Sequence, residues 1–161
     1  MIIKHDMRRK DRRISPEESL EILSKAEYGV LATVGEDGCP YATPISYVCL
    51  DGDIYFHSAE SGHKINNFRY NDRVSFAVVG ETEPVFDGFF TTYYESVIVF
   101  GRISEVTEAS LKAEILLQFA EKYLSGHLAE AQGVIQGPLP AVSIWLLRVE
   151  HMTGKAKRRK H

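Results

Sequence analysis

The 161-residue chain holds only two cysteines, Cys39 and Cys49, with neither CxxC spacing nor a histidine-rich neighbourhood. A zinc site and a disulfide framework are therefore not expected. No apolar run approaches the roughly 20 residues of a membrane-spanning helix. Neither GxxxxGK(S/T) nor GxGxxG occurs, so the standard phosphate loops of P-loop and dinucleotide folds are missing. The formal net charge is only −3, which gives no global pull toward nucleic acid or an acidic membrane. There is no internal repeat, no low-complexity tract and no secretory pattern at the start. The expectation is a soluble cytoplasmic protein with reduced thiols, no resident metal, and no nucleic-acid or membrane partner.

The length suits one domain, 1–161, able to bury a core without staples. Basic residues gather in an N-terminal arm (1–14: Arg8, Arg9, Lys10, Arg12, Arg13) and a C-terminal tail (152–161: Lys155, Lys157, Arg158, Arg159, Lys160). Ser15-Pro16-Glu17-Glu18 carries a cap, a first-turn proline and a capping-box glutamate, which predicts a helix running to about residue 28. From Gly29 the period becomes extended. Residues 30–34, 41–50 and 54–58 read as three strands joined at Asp37-Gly38 and Asp51-Gly52. A short helix is expected over 63–70, and a fourth strand where Val74, Phe76 and Val78 alternate with smaller residues. Residues 81–90 hold a proline, a glycine and acids, and read as a loop. A fifth strand follows over 95–105. Leu111, Ile115, Phe119 and Tyr123 keep i, i+4 spacing behind Thr107 as expected cap. Residues 128–134 add at most one more turn before the break at Gly137-Pro138-Leu139-Pro140, and a sixth strand runs over 141–150.

The order is thus β-β-β-α-β-β-α-β: mainly β, with two or three helices. Strands 95–105 and 141–150 are apolar on both faces, which an open sheet with one wet face does not accommodate. A six-stranded antiparallel barrel does, if its outer faces meet a helix, a partner chain or a ligand. A lone α+β domain with a helix over each face is the alternative.

Two segments carry possible chemistry. In His57-Ser58-Ala59-Glu60-Ser61-Gly62-His63-Lys64 a strand ends in a hydroxyl, a small turn follows, and a cation stands at a helix start. Backbone N–H groups, the Ser58 hydroxyl and Lys64 make an anion cradle. A solvated turn would read the same way. In Pro40-Tyr41-Ala42-Thr43-Pro44-Ile45-Ser46-Tyr47, Pro44 removes a ladder donor, so the strand lies at an edge or is bulged. A bulge there would present main chain to a planar heterocycle; a plain edge strand guarded by its proline is the other reading.

Together the run 29–33, the run 37–47, Ile54-Tyr55-Phe56-His57-Ser58 and Gly62-His63-Lys64 resemble the pyridoxamine 5'-phosphate oxidase-related, FMN-binding split-barrel superfamily. Arg8-Arg9-Lys10-Asp11-Arg12, Tyr94 to Gly101 and Thr153 to Arg159 bring the resemblance closest to its 5-nitroimidazole resistance group, across nearly the whole chain. The resemblance implies a split β-barrel homodimer with FMN in a groove between the chains. It implies phosphate contacts at Ser58 and Lys64 with His57 and His63 beside them, and Thr43, Pro44, Ile45 and Ser46 against the ring. Ser96 would reach the partner's FMN, and Trp145 and Lys155 match more loosely. The implied activity is reduction of a nitro-bearing small molecule. Haem binding or handling, or a flavin carrier without turnover, are the alternatives. No catalytic residue is assigned. The Arg-x-His-Asp-Arg stretch used for vitamin B6 is absent, with Thr153-Gly154-Lys155 near that place, so B6 oxidation is not implied.

Overall fold

A computed structural model describes residues 7–86, 88–137 and 142–159. Helix α1 (Pro16–Lys25) starts as its residues dictate: Ser15 Oγ accepts from the Glu18 N–H at 3.1 Å and Glu18 Oε2 from the Ser15 N–H at 3.0 Å. This pair satisfies two of the donors that a helix start leaves open. The helix stops at Lys25 rather than near residue 28, because Tyr28 already belongs to strand β1 (Tyr28–Val34).

The remaining strands are β2 (Pro40–Ser46), β3 (Val48–Leu50), β4 (Asp53–Ser58), β5 (Arg73–Phe86), β6 (Phe90–Val106) and β7 (Ser143–Lys157). They form one antiparallel sheet in the order β2-β1-β5-β6-β7-β4-β3. Seven strands thus replace the expected six. The extra one arises because residues 41–50 do not form one strand. β2 lies on one edge of the sheet and β3 on the other, with only Tyr47 between them. One residue cannot span an open sheet, since strands are spaced about 4.8 Å apart. The sheet therefore curls into a half-barrel until its edges meet.

Tyr47 is fully buried at this crossing and leaves no backbone group unpaired, as burial requires. Its N–H donates to Tyr123 Oη at 3.0 Å, and its carbonyl accepts from Lys122 Nζ at 3.1 Å. Its own hydroxyl donates to the Leu23 carbonyl at 2.5 Å. β3 returns into β4 through Asp51 (φ 52°) and Gly52 (φ 84°), the double left-handed geometry of a tight hairpin.

Residues 81–90 are not a loop. β5 and β6 continue as a hairpin in which Pro84 pairs with Thr92 and Val85 with Thr91. β1 pairs β5 only at Ser75–Ala77, so Pro84 sits where no second neighbour needs its N–H. Asp87 within this stretch lies outside the described residues. β6 begins at Phe90, not 95. β7 runs on to Lys157, with Lys155 opposite Ser96, so most of the expected basic tail is a strand. Residues 1–6 of the arm, 138–141 of the expected break and strand start, and Lys160 and His161 of the tail are outside the described residues.

Among the described residues four α-helices form rather than two or three: α1, α2 (His63–Tyr70), α3 (Ala109–Tyr123) and α4 (Leu128–Gln136). α3 is capped by Glu108, not Thr107; its carboxylate accepts from the N–H groups of Ser110 and Leu111 at 3.1 and 2.8 Å. Leu31, Phe56, Ile65, Phe76, Val97, Val99, Ile115, Ile144 and Leu147 are fully buried inside the curl. Among the described residues no helix is long and apolar enough to cross a membrane.

Candidate functional site

β2 has one neighbour, β1, which places Pro44 opposite Val30 and Thr43 opposite Leu31. Alternation turns Pro44 and Ser46 outward, both exposed, and Ile45 inward, buried. Thr43 Oγ1 is buried and has no hydrogen-bond partner among the described residues. Leaving a buried polar group unsatisfied costs about 1–3 kcal/mol. An orphan of this kind beside a residue that lacks an N–H is a place where a ligand heteroatom fits.

The helix start that follows β4 is packed close to this strand. The His63 ring stacks on Tyr41 of β2, with centroids 4.2 Å apart, and Asn67 Nδ2 of α2 donates to Thr33 Oγ1 of β1 at 2.9 Å. No side chain caps the opening N–H groups of α2. Lys64 is half-buried there and forms no ion pair among the described residues. Free donors and a free cation at a helix start suit a phosphate.

His57 and Ser58 end β4. Ser58 is buried; its Oγ accepts from Trp145 Nε1 at 3.1 Å and donates to the Ala59 carbonyl at 2.9 Å. The hydroxyl thus braces the turn and the indole, which packs on Phe68 at 4.8 Å. His57 is exposed as a residue, yet its ring meets the Phe119 ring edge-on at 4.7 Å. Burial on that side, and then the charge of Lys64, push its pKa below the usual 6.5. The imidazole is therefore neutral near pH 7. His57 and Ser46 line one cavity of about 500 Å³ between the ends of β2 and β4 and helices α3 and α4.

The fold thus brings Tyr41 to His63, Ser58 to Trp145, and Ser46 to the cavity that His57 lines. Ser96 stands apart. It lies on β6, opposite Val79 and Lys155, and belongs to the outer face of the sheet. Along that face one cross-strand row reads Pro44, Val30, Ala77, Ile98 and Thr153, small and largely apolar.

Sequence reasoning missed a cluster beside Ser96. Arg12 Nη1 donates to Tyr94 Oη at 3.2 Å, and Lys155 Nζ stands 5.7 Å from the Tyr94 ring centroid. Desolvation raises the Tyr94 phenol pKa, but hydrogen bonds from Arg12 and Lys155 outweigh it and leave the pKa lowered. Arg13 bridges to Lys155, so the two basic ends of the chain meet on one sheet. The available signal was the period-two pattern of Thr153-Gly154-Lys155-Ala156-Lys157. A second cavity, of about 610 Å³, lies between the β5–β6 hairpin and the end of β7. Of its charges, Arg159 pairs with Glu83 at 2.8 Å, and Arg158 with Glu18 at 2.6 Å and Glu95 at 3.4 Å. Among the described residues no group of three or more His, Cys, Asp or Glu could hold a metal ion.

Residues 15–156 match the family model for pyridoxamine 5'-phosphate oxidase. No curated protein matches. Among solved structures, the chain is similar to a candidate 5-nitroimidazole antibiotic resistance protein from Bacteroides thetaiotaomicron (20% identity, TM-score 0.75, covering 88% of this chain and 84% of that one). It is also similar to an FAD-binding protein from Mesorhizobium loti (26% identity, TM-score 0.65, covering 91% and 98%). A third is the haem storage protein HutZ from Vibrio cholerae (19% identity, TM-score 0.65, covering 89% and 95%).

Proposed function

The chain belongs to the pyridoxamine 5'-phosphate oxidase family, and from that premise we propose an FMN-binding oxidoreductase of the nitro-reducing type, acting as a homodimer. The observation that carries the cofactor reading is the buried, partnerless Thr43 Oγ1 on the strand beside the uncapped start of α2. Bound FMN would supply the electron chemistry, and the protein the binding and orientation.

Each residue then has a task. Lys64 and the opening N–H groups of α2 hold one terminal phosphate, a cradle that suits FMN better than FAD. Thr43, Pro44, Ile45 and Ser46 present main chain and the orphan hydroxyl to the ring edge. His63 stays stacked on Tyr41 at the mouth of the cradle. Ser58 and Trp145 keep the turn in place through their hydrogen bond. His57, neutral near pH 7, holds a proton on one ring nitrogen close to the phosphate cradle, where the Lys64 charge is felt. Ser96 reaches the cofactor held by the second copy, and the apolar outer row of Pro44, Val30, Ala77 and Ile98 supplies the surface on which the copies meet.

Similarity to the Bacteroides protein supports a nitro-bearing small-molecule substrate. Vitamin B6 oxidation has no support, since Thr153-Gly154-Lys155 occupies the place of the expected arginine–histidine stretch. Haem is the second reading, favoured by the exposed His57 ring over an apolar cavity and by the similarity to HutZ. An absorption spectrum after incubation with FMN and desalting tests the choice. Retained oxidised-flavin bands that bleach with a nicotinamide donor and recover with a nitroimidazole support the proposal. A flavin band that never bleaches reduces it to a carrier. A Soret band after haem, with no flavin retained, overturns it.

A further inference from the structure

We propose that the cavity between α3, α4 and the ends of β2 and β4 binds an uncharged, flat ring compound with a hydrogen-bond acceptor. Its role as the substrate-selecting part of the site rests on the flavin reading; its binding does not.

The walls are Leu116, Phe119, Leu124, Ala131, Val134 and Ile135, with Ser46 and His57 at the strand ends. A volume of about 500 Å³ lies within the range of small-molecule sites and exceeds what a single small ring fills. Among the described residues, none that lines it is Lys, Arg, Asp or Glu. A charged ligand would lose its hydration there with nothing to replace it. Three lining side chains carry polar atoms that could meet a ligand. Tyr123 Oη is already spent: it takes the Tyr47 N–H at 3.0 Å and donates toward the carbonyls of Glu27 and Tyr47 at 2.5 and 2.8 Å. The Ser46 hydroxyl hydrogen-bonds Tyr123, which leaves His57 as the polar group that meets a ligand. A neutral imidazole offers one N–H and one acceptor nitrogen, and an acceptor oxygen or nitrogen on the ring meets the N–H.

The cavity also touches the end of the proposed cofactor strand at Ser46. Ser46 ends β2, three residues after the orphan Thr43, and His57 directly precedes the Ser58 brace. A ring held against Phe119 therefore sits beside that strand, within reach of His57.

The test is calorimetric titration of the full-length protein, with and without FMN, using 1-nitronaphthalene and 1-naphthoate. The two share ring and shape but differ in charge. The expected result is one molecule of 1-nitronaphthalene per chain, with 1-naphthoate bound at least about tenfold more weakly, the scale of one uncompensated group. Ala131→Trp, filling the cavity from α4, should abolish binding, and Gln132→Trp should not. Val134→Asp, which places a charge at the mouth, should also abolish it and covers the case in which Ala131→Trp fails to fold. Equal binding of both probes, or full binding to a folded Ala131→Trp or Val134→Asp protein, overturns the proposal. So does a change in light-scattering mass with either variant, since the cavity would then belong to a contact between copies. Ring binding without FMN binding would sink the flavin reading alone, and FMN binding without ring binding would sink this one alone.

Discussion

Replacing Thr43 with valine should raise stability and lower cofactor affinity, two effects of opposite sign from one atom. The side chains share a shape, so the change exchanges a buried hydroxyl for a methyl. Thr43 Oγ1 has no partner, and a group left in that state costs about 1–3 kcal/mol. Valine removes the cost. In a chain of 161 residues each kcal/mol moves Tm by about 2–4 °C, so the flavin-free variant should melt roughly 2–12 °C higher. With FMN bound, the hydroxyl has something to lose. One neutral hydrogen bond contributes about 0.5–1.5 kcal/mol net, which is about a 2–13-fold weaker Kd. Thermal melts without flavin and titration by quenching of FMN fluorescence read the two effects separately. A lower Tm without flavin would mean that the hydroxyl has a partner after all. A higher Tm with an unchanged Kd would mean that the orphan does not face the cofactor.

Lys64→Ala should weaken FMN by about 13–160-fold, the range for a charge-assisted hydrogen bond of about 1.5–3 kcal/mol, and Ser96→Ala by only about fivefold; unchanged affinity in Lys64→Ala removes the phosphate assignment. His57 should titrate below 6.5 in NMR, and Lys64→Ala should move it upward by removing a repelling charge; no movement would mean the two are not neighbours. The sign for stability follows from the depressed value: the unfolded chain takes up this proton first, so the fold weakens as pH drops below about 6.5 and is unaffected above it. Tyr123→Phe should cost about 1–3 kcal/mol in urea unfolding, because it strands the buried Tyr47 N–H at the strand crossing; a smaller loss would show that water rescues the group.

What was legible in the sequence depended on how few residues decide an element. Ser15, Pro16 and Glu18 settle the start of α1 among themselves, and Asp51-Gly52 settles the β3–β4 turn. Ile115 and Phe119 are buried as their i, i+4 stripe demands. The crossing at Tyr47 was not legible. Ser46, Tyr47 and Val48 all suit extended backbone, and whether they continue a strand or change edges depends on how far the whole sheet curls. The β5–β6 hairpin was hidden for a related reason. Gly80, Pro84 and Gly88 speak for a loop wherever both sides of a strand must pair, and they lose that force where β5 has outrun β1.

The site divides along the same line. Segments that carry their chemistry in consecutive residues, such as His57-Ser58 and Gly62-His63-Lys64, stand out in the amino-acid sequence itself. The hydrogen-bond state of each side chain does not. Ser58 looks like a free donor until its hydroxyl donates to the Ala59 carbonyl and accepts from Trp145 of β7, and Thr43 looks like an ordinary strand threonine until the fold buries its hydroxyl with no partner among the described residues. The basic ends look like separate tails because nothing local ties Arg12 to Lys155. They meet because β7 runs beside β6 as far as Lys157, which lays the last residues of the chain against the first. Tyr94 acquires its two cations only through that register. A single-residue slip of β7 would turn Lys155 into the core and leave Gly154 outside. A Cβ at Gly154 would already lie 2.0 Å from Ser19 Oγ, so residue 155 cannot take that inward place. The small residue at 154 thus holds the register on which the outer cluster depends.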